Sequence, residues 1–209
     1  MNIFNRLSDE KIVPVIKLQS PDSATPLADA LIKGGINVAE VTFRTDAAAE
    51  SIKKIRTNFP EMLVGAGTVL NLENAKKAED AGASFMVAPG FNPKIVQFCL
   101  DRKIPVVPGV TSPSEVEQAM EMGLEVLKFF PAELSGGIPM LKTLASVYTA
   151  KFMPTGGLNA DNFIDYLKLS NVIACGGSWM VGGPLVESGN FEEITRLSAE
   201  VRRIIKANF

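Results

Sequence analysis

The chain has 209 residues, 46% of them hydrophobic and 21% charged, with a formal net charge of −2. This length is enough for one domain with a substantial core, so we expect a single domain over residues 1–209. Because the net charge is close to zero, nothing indicates nucleic acid or an acidic membrane surface as a partner.

The composition excludes several kinds of chemistry. The sequence contains no histidine, which excludes Ser-His-Asp and Cys-His catalysis and imidazole-ligated metal sites. Two cysteines, Cys99 and Cys175, are too few for a disulfide framework and fit a reducing cytoplasm. No apolar run reaches the ~20 residues of a membrane span, and the first residues lack the apolar core of a signal peptide. We therefore expect a cytoplasmic protein whose chemistry depends on lysine, arginine and carboxylates.

Short apolar segments alternate with helical segments along the chain. A short helix is predicted over residues 3–11, before the first strand. The predicted strands are residues 12–18, 36–43, 62–67, 84–89, 104–108, 125–130, 151–155 and 171–176. Eight β–α units of about 20–25 residues each favour a compact TIM (β/α)8 barrel, with the short N-terminal helix closing its bottom. A doubly wound open sheet has the same alternation and is the alternative.

Helix boundaries carry their usual sequence signals. Ser112 and Glu115 form a predicted capping box with proline at the first helical position, and Asn92 precedes Pro93 in the same way. The glycines placed where helices should end before the next strand are Gly35, Gly82 and Gly123.

Polar residues occur at inward positions of two predicted strands. Lys128 lies in the apolar run LEVLKFFP, where a buried lysine must snorkel, pair or take part in chemistry. In the second strand the alternation places Glu40, Thr42 and Arg44 on the face opposite the apolar side chains. An internal amine can form a Schiff base with a ketone. A purely structural ion pair of Glu40 with Lys128 or Arg44 is the alternative.

Glycine pairs follow the last two predicted strands. The sequence reads Thr155-Gly156-Gly157 after the seventh strand and Gly176-Gly177-Ser178 after the eighth. Without a Cβ, such backbone can approach a ligand closely, and these two loops commonly hold phosphate in this fold. A third group, residues 65–68, is expected to give room for a substrate beside Thr68.

The motifs resemble those of one enzyme family. They are EVTFRT (residues 40–45), GAGTVL (65–70), KFFPAE (128–133), PTGG (154–157) and GGSW (176–179). In this order they resemble the bacterial 2-keto-3-deoxy-6-phosphogluconate (KDPG) aldolases, which overlap with the 4-hydroxy-2-oxoglutarate (KHG) aldolases. The resemblance spans most of the chain. One departure is Ala88, where the family pattern has serine before Pro89.

The resemblance implies a homotrimer that uses class I, metal-free aldol chemistry in the Entner–Doudoroff pathway, with no cofactor other than a covalent lysine imine. It implies that Lys128 forms the Schiff base and that Glu40 moves protons. Arg44 and Thr68 would bind the pyruvate-derived portion. Pro89, Phe130 and Thr155 are expected to line the substrate pocket. The residues implied to hold the phosphate are Gly156, Gly157, Gly177 and Ser178.

The substrate implied is a phosphorylated keto-deoxy sugar acid, cleaved to pyruvate and glyceraldehyde 3-phosphate. The same chemistry on 4-hydroxy-2-oxoglutarate is an alternative, possible as a second activity. A phosphosugar isomerase or epimerase on the same scaffold would give no role to a buried lysine. A barrel that only binds a phosphometabolite would show binding without turnover.

Overall fold

The computed structural model of the protein describes residues 2–209 and consists of parallel strands that alternate with helices. The strands are β1 Ile12–Ile16, β2 Val38–Thr42, β3 Leu63–Gly67, β4 Phe85–Val87, β5 Val106–Val107, β6 Gly109–Val110, β7 Val126–Phe129, β8 Lys151–Pro154 and β9 Cys175–Gly177. The α-helices are α1 Ile3–Glu10, α2 Ala24–Lys33, α3 Ala48–Asn58, α4 Leu72–Asp80, α5 Pro93–Asp101, α6 Pro113–Glu121, α7 Gly137–Ala145, α8 Phe163–Leu167, α9 Gly183–Glu187 and α10 Phe191–Asn208. Two short 3₁₀ turns cover Pro21–Ser23 and Trp179–Val181.

The strands form two parallel sheets that curl into a half-barrel. The larger sheet has the order β5-β4-β3-β2-β1-β9, and the smaller one has the order β6-β7-β8. A parallel bridge between Thr155 and Gly176 joins the end of β8 to β9. At the other junction, Pro108 alone separates β5 from β6. The fold is therefore α/β, with the carboxyl ends of all strands at one edge.

The eight strand predictions are confirmed in position, with differences at the fifth and the eighth. The predicted fifth strand, residues 104–108, is the shorter β5, and β6 follows Pro108 outside the predicted bounds. Proline has no N–H to donate to a ladder, although its carbonyl accepts a bond from the Lys128 N–H at 2.8 Å. The chain changes sheets at this residue. The predicted eighth strand, residues 171–176, begins only at Cys175 as β9.

The predicted helix boundaries are also confirmed. The Ser112 and Glu115 side chains form a reciprocal capping box at the start of α6, and the Asn92 side chain caps α5. Gly35, Gly82 and Gly123 follow helices with φ of 82°, 80° and 82°. At these angles a side chain would strain the backbone, which accounts for glycine at each position.

The core lies between the sheets and the helices that cover their outer faces. Every residue of β2, β3 and β7 is buried, as expected for parallel strands covered on both sides. On β7, Leu127 and Phe129 are fully buried in the apolar core, so Lys128 is on the opposite, inner face. No helix within residues 2–209 is long and apolar enough to cross a membrane.

Candidate active site

A buried ion pair lies on the inner face of the sheets. The Lys128 Nζ of β7 is 3.3 Å from the Glu40 Oε1 of β2, and the two side chains are 5% and 0% exposed. Two apolar strands, one from each sheet, place both groups, because inward and outward residues alternate along each strand. The Lys128 Nζ also lies 5.3 Å from the centre of the Phe130 ring. The structure thus brings together the two residues predicted to do the chemistry.

Only one oxygen of the Glu40 carboxylate, Oε1, accepts a hydrogen bond from the described residues, and its donor is Lys128. The other oxygen, Oε2, is buried and has no hydrogen-bond partner within residues 2–209. An unpaired buried carboxylate oxygen is costly, so it is a natural acceptor for a proton, a water molecule or a substrate hydroxyl. The neighbouring inward residue, Thr42, is instead satisfied, since its hydroxyl donates to the Ile16 carbonyl at 2.8 Å.

Arg44 and Thr68 meet at the carboxyl ends of β2 and β3. The Arg44 Nε donates to the Thr68 Oγ1 at 3.3 Å. Thr68 has a φ of 55°, which is uncommon for a β-branched residue. Such strain tends to collect at functional sites and persists only where the surroundings enforce it. The guanidinium forms no salt bridge in the described chain, so it can accept an anionic ligand.

A cavity of about 290 Å³ opens at this edge of the sheets. Predicted site residues that line it are Arg44, Phe130, Thr155, Gly156, Gly157, Gly177 and Ser178. Glu40 and Lys128 are buried and are not among the lining residues. Thr68 does not line the cavity either, but it accepts a hydrogen bond from Arg44, which does. Pro89 is not on this wall; it lies against Gly109, the β6 residue paired with Lys128.

The two glycine loops both line the cavity and lie next to each other, since Thr155 is bridged to Gly176. The backbone N–H groups of Gly157 and Ser178 donate no hydrogen bond within the described residues. A hydrogen bond holds the loop after β8 in place, because the Glu133 N–H donates to the Gly156 carbonyl at 3.1 Å. The Tyr166 hydroxyl donates in turn to the Glu133 carboxylate. Burial, followed by this bond to Glu133, raises the pKa of Tyr166 well above its ordinary value, so it stays a donor.

The space beside several glycines is filled by the protein itself. A Cβ at Gly67 would overlap Glu40, one at Gly65 would overlap Phe85, and one at Gly177 would overlap Trp179. The expectation that residues 65–68 make room for a substrate is therefore corrected. These glycines admit internal side chains, because neighbouring strands leave no volume for a Cβ.

Several further residues line the cavity and were not predicted as site residues from the sequence, among them Lys17, Gly182 and Gly183. Gly182 and Gly183 follow the 3₁₀ turn after β9. Lys17 follows the last residue of β1. The alternation of β1 could have identified Lys17, since it shares a face with Val15, another cavity residue.

Together these groups define an imine-type site. A buried amine beside a carboxylate can condense with a ketone and exchange protons during the reaction. An arginine and two glycine loops with free N–H groups can hold anionic ends of a ligand.

Comparisons with known proteins agree with this description. The family model described as KDPG and KHG aldolase matches residues 3–197. A Haemophilus influenzae relative named 2-dehydro-3-deoxy-phosphogluconate aldolase is 50% identical over 205 residues, which are 98% of this chain and 97% of the relative.

Solved structures give the same result. The KDPG aldolase of Legionella pneumophila, with pyruvate captured as a covalent carbinolamine intermediate, has a TM-score of 0.93 and 39% identity, covering 96% of this chain and 98% of that one. The aldolase of Zymomonas mobilis with 3-phosphoglycerate has a TM-score of 0.86 and 38% identity, covering 95% and 94%. The chain belongs to the KDPG and KHG aldolase family.

The packing of Glu40 against Gly67 generates a stability prediction. Gly67→Ala places a Cβ where the Glu40 carboxylate lies, so it should lower the free energy of unfolding by about 1–3 kcal/mol. Gly90→Ala is the matched control, because nothing lies within 4 Å of its added Cβ. Urea unfolding measures both. Equal midpoints for the two variants would mean that Glu40 is not held against Gly67.

Proposed function

We propose that the protein is a class I aldolase that cleaves 2-keto-3-deoxy-6-phosphogluconate to pyruvate and glyceraldehyde 3-phosphate. The observation that carries the proposal is the Lys128–Glu40 pair, 3.3 Å apart and buried next to a cavity with two glycine loops. The names of the Haemophilus and Legionella proteins support the substrate and its gluconate configuration.

The reaction begins with addition of the neutral Lys128 amine to the C2 carbonyl of the substrate. The carbinolamine loses its oxygen as water, which leaves an iminium ion. Glu40 is the group placed to accept the amine proton and return it to the departing oxygen. The carbinolamine named for the Legionella protein is the intermediate this step requires.

The carbon–carbon bond breaks in the second step. A base removes the proton of the C4 hydroxyl, the C3–C4 electrons move into the iminium, and glyceraldehyde 3-phosphate leaves as the aldehyde. The free Oε2 of Glu40, directly or through water, is the acceptor proposed for that proton. Protonation of the enamine at C3 and hydrolysis release pyruvate and restore Lys128. The imine is the electron sink, so the proposed reaction uses no metal or other cofactor.

The remaining site residues hold the substrate ends. Arg44 and Thr68 bind the pyruvate-derived carboxylate, since they are bonded to each other beside β2 and β3. Phe130 and Thr155 shape the middle of the pocket, and Pro89 does so from the far side of β6.

The phosphate is assigned to the two glycine loops, at Gly156-Gly157 and Gly177-Ser178. Backbone N–H groups and the Ser178 hydroxyl are the donors, and the free N–H groups of Gly157 and Ser178 support this assignment. Because 4-hydroxy-2-oxoglutarate has no phosphate, the loops favour the sugar acid phosphate as the main substrate. The family description supports KHG cleavage as a second activity.

We also propose a closed (β/α)8 barrel, one domain over residues 1–209 and a homotrimer. The Thr155–Gly176 bridge and the single residue between β5 and β6 support closure, with β5 and β6 counted as one interrupted strand. The resemblance to the family supports the trimer. The cytoplasmic location stays a prediction from the cysteine count.

Borohydride trapping tests the proposed chemistry directly. With pyruvate present, reduction should attach a stable adduct to Lys128 alone, because it is the lysine buried beside an acid. Peptide mass mapping locates the adduct, and Lys128→Met should abolish it. An adduct at Lys17 or at a surface lysine would overturn the assignment.

Glu40→Gln tests the proton-transfer role. The amide keeps the side-chain shape but cannot accept the proton, so kcat should fall by about 10²–10⁴-fold while KM changes little. Pyruvate release measures both constants, and far-UV circular dichroism checks the fold. A variant with nearly full kcat would make the pair with Lys128 a structural one.

Ser178→Ala tests the phosphate assignment. Loss of one hydrogen bond to a charged group should raise KM for the phosphorylated substrate by roughly 10–100-fold. KM for the unphosphorylated keto-deoxy acid should be unchanged. Ser188→Ala, at an exposed position after α9, is the control. Equal losses on both substrates would show that the loop supports the fold and does not bind phosphate.

A further inference from the structure

Lys17 occupies a defined place on the cavity wall. It follows β1 and shares a strand face with Val15, which lines the cavity and is paired with the inward residue Glu40. Ile16 and Leu18, which alternate with them, are fully buried in the core. The pairing of Pro14 with Gly177 places the carboxyl end of β1 beside the loop that carries Ser178. Lys17 therefore extends from a rigid strand toward one of the two glycine loops.

The charge on this wall has one sign. The charged residues that line the cavity are Lys17 and Arg44, and no carboxylate of the described chain is among the lining residues. Arg44 already donates to Thr68. The Lys17 ammonium makes no salt bridge and no side-chain hydrogen bond to any residue in 2–209. A free cation on a flexible stem at this point can follow an anion bound in the loops.

We propose that Lys17 is a specificity-determining residue that contacts the phosphate of the substrate and favours phosphorylated over unphosphorylated keto-deoxy acids. This inference rests on the proposed function. The Lys17 ammonium adds a formal charge to the two glycine loops, which otherwise offer only N–H and hydroxyl donors. Those donors fix the position of the phosphate, and the ammonium neutralises part of its charge. Because Lys17 is exposed, the contribution is moderate and depends on salt.

The test compares three variants on two substrates. Lys17→Met removes the charge and keeps most of the stem, whereas Lys17→Arg keeps the charge. Lys53→Met is the matched control, because Lys53 is an exposed residue of α3 whose loss changes the net charge equally. The specificity constant kcat/KM is measured for the phosphorylated and the unphosphorylated keto-deoxy acid, at low and at high ionic strength.

We expect Lys17→Met to lower kcat/KM for the phosphorylated substrate by about 3- to 10-fold at low ionic strength, with a smaller effect at high salt. The unphosphorylated acid should be unaffected, Lys17→Arg should retain most of the activity, and pyruvate trapping at Lys128 should persist. A Lys17→Met variant that behaves like Lys53→Met would overturn the proposal. So would an equal loss on both substrates.

A binding measurement separates this proposal from the proposed function. Calorimetric titration with inorganic phosphate should show weaker binding to Lys17→Met than to the unsubstituted protein, with Lys53→Met unchanged. If the protein cleaved neither acid, the proposed function would fail, and this titration would still decide whether Lys17 binds phosphate. Unchanged phosphate affinity in Lys17→Met would refute the contact.

Discussion

The buried contact between Lys128 and Glu40 is the constraint on which the site depends. Two charged groups with exposures of 5% and 0% are stable in an apolar interior only because they face each other at 3.3 Å. Removing one partner from such a pair typically costs about 3–5 kcal/mol, since the other is left as an isolated charge. The strands that hold the two residues are therefore fixed relative to each other by the chemistry as well as by hydrophobic packing.

The space for this pair comes from small residues on neighbouring strands. Gly67 leaves room for the Glu40 carboxylate, and Gly65 leaves room for the Phe85 ring, which closes the core below it. At the bridge between β8 and β9, Gly176 accommodates the side chain of Thr155. Gly67 and Gly176 thus couple the packing of their own strands to the placement of a site residue on a neighbouring strand.

Much of this arrangement follows from sequence pattern. Alternation along β2 and β7 predicts that Glu40 and Lys128 point inward, because strand geometry has a period of two. The pattern could not predict what fills the space beside each glycine, since that depends on side chains from other strands, such as Trp179 against Gly177. The same limit applies to Lys17. The alternation along β1 predicts the strand face on which Lys17 lies. Its position beside the loop that carries Ser178 depends on the pairing of β1 with β9, which the alternation does not predict.

The distribution of charge explains how a neutral interior can serve an anionic substrate. The deep pair carries no net charge, so it neither attracts nor repels an anion at a distance. The cavity wall carries Lys17 and Arg44 and, within the described chain, no carboxylate. Under the proposed function, a keto acid with a phosphate at its far end would meet these counter-charges at the cavity, while its carbonyl would reach the amine. The binding energy of the charged ends would then orient the reacting carbon toward Lys128, so that charge recognition and covalent chemistry would be carried by separate residues of one site.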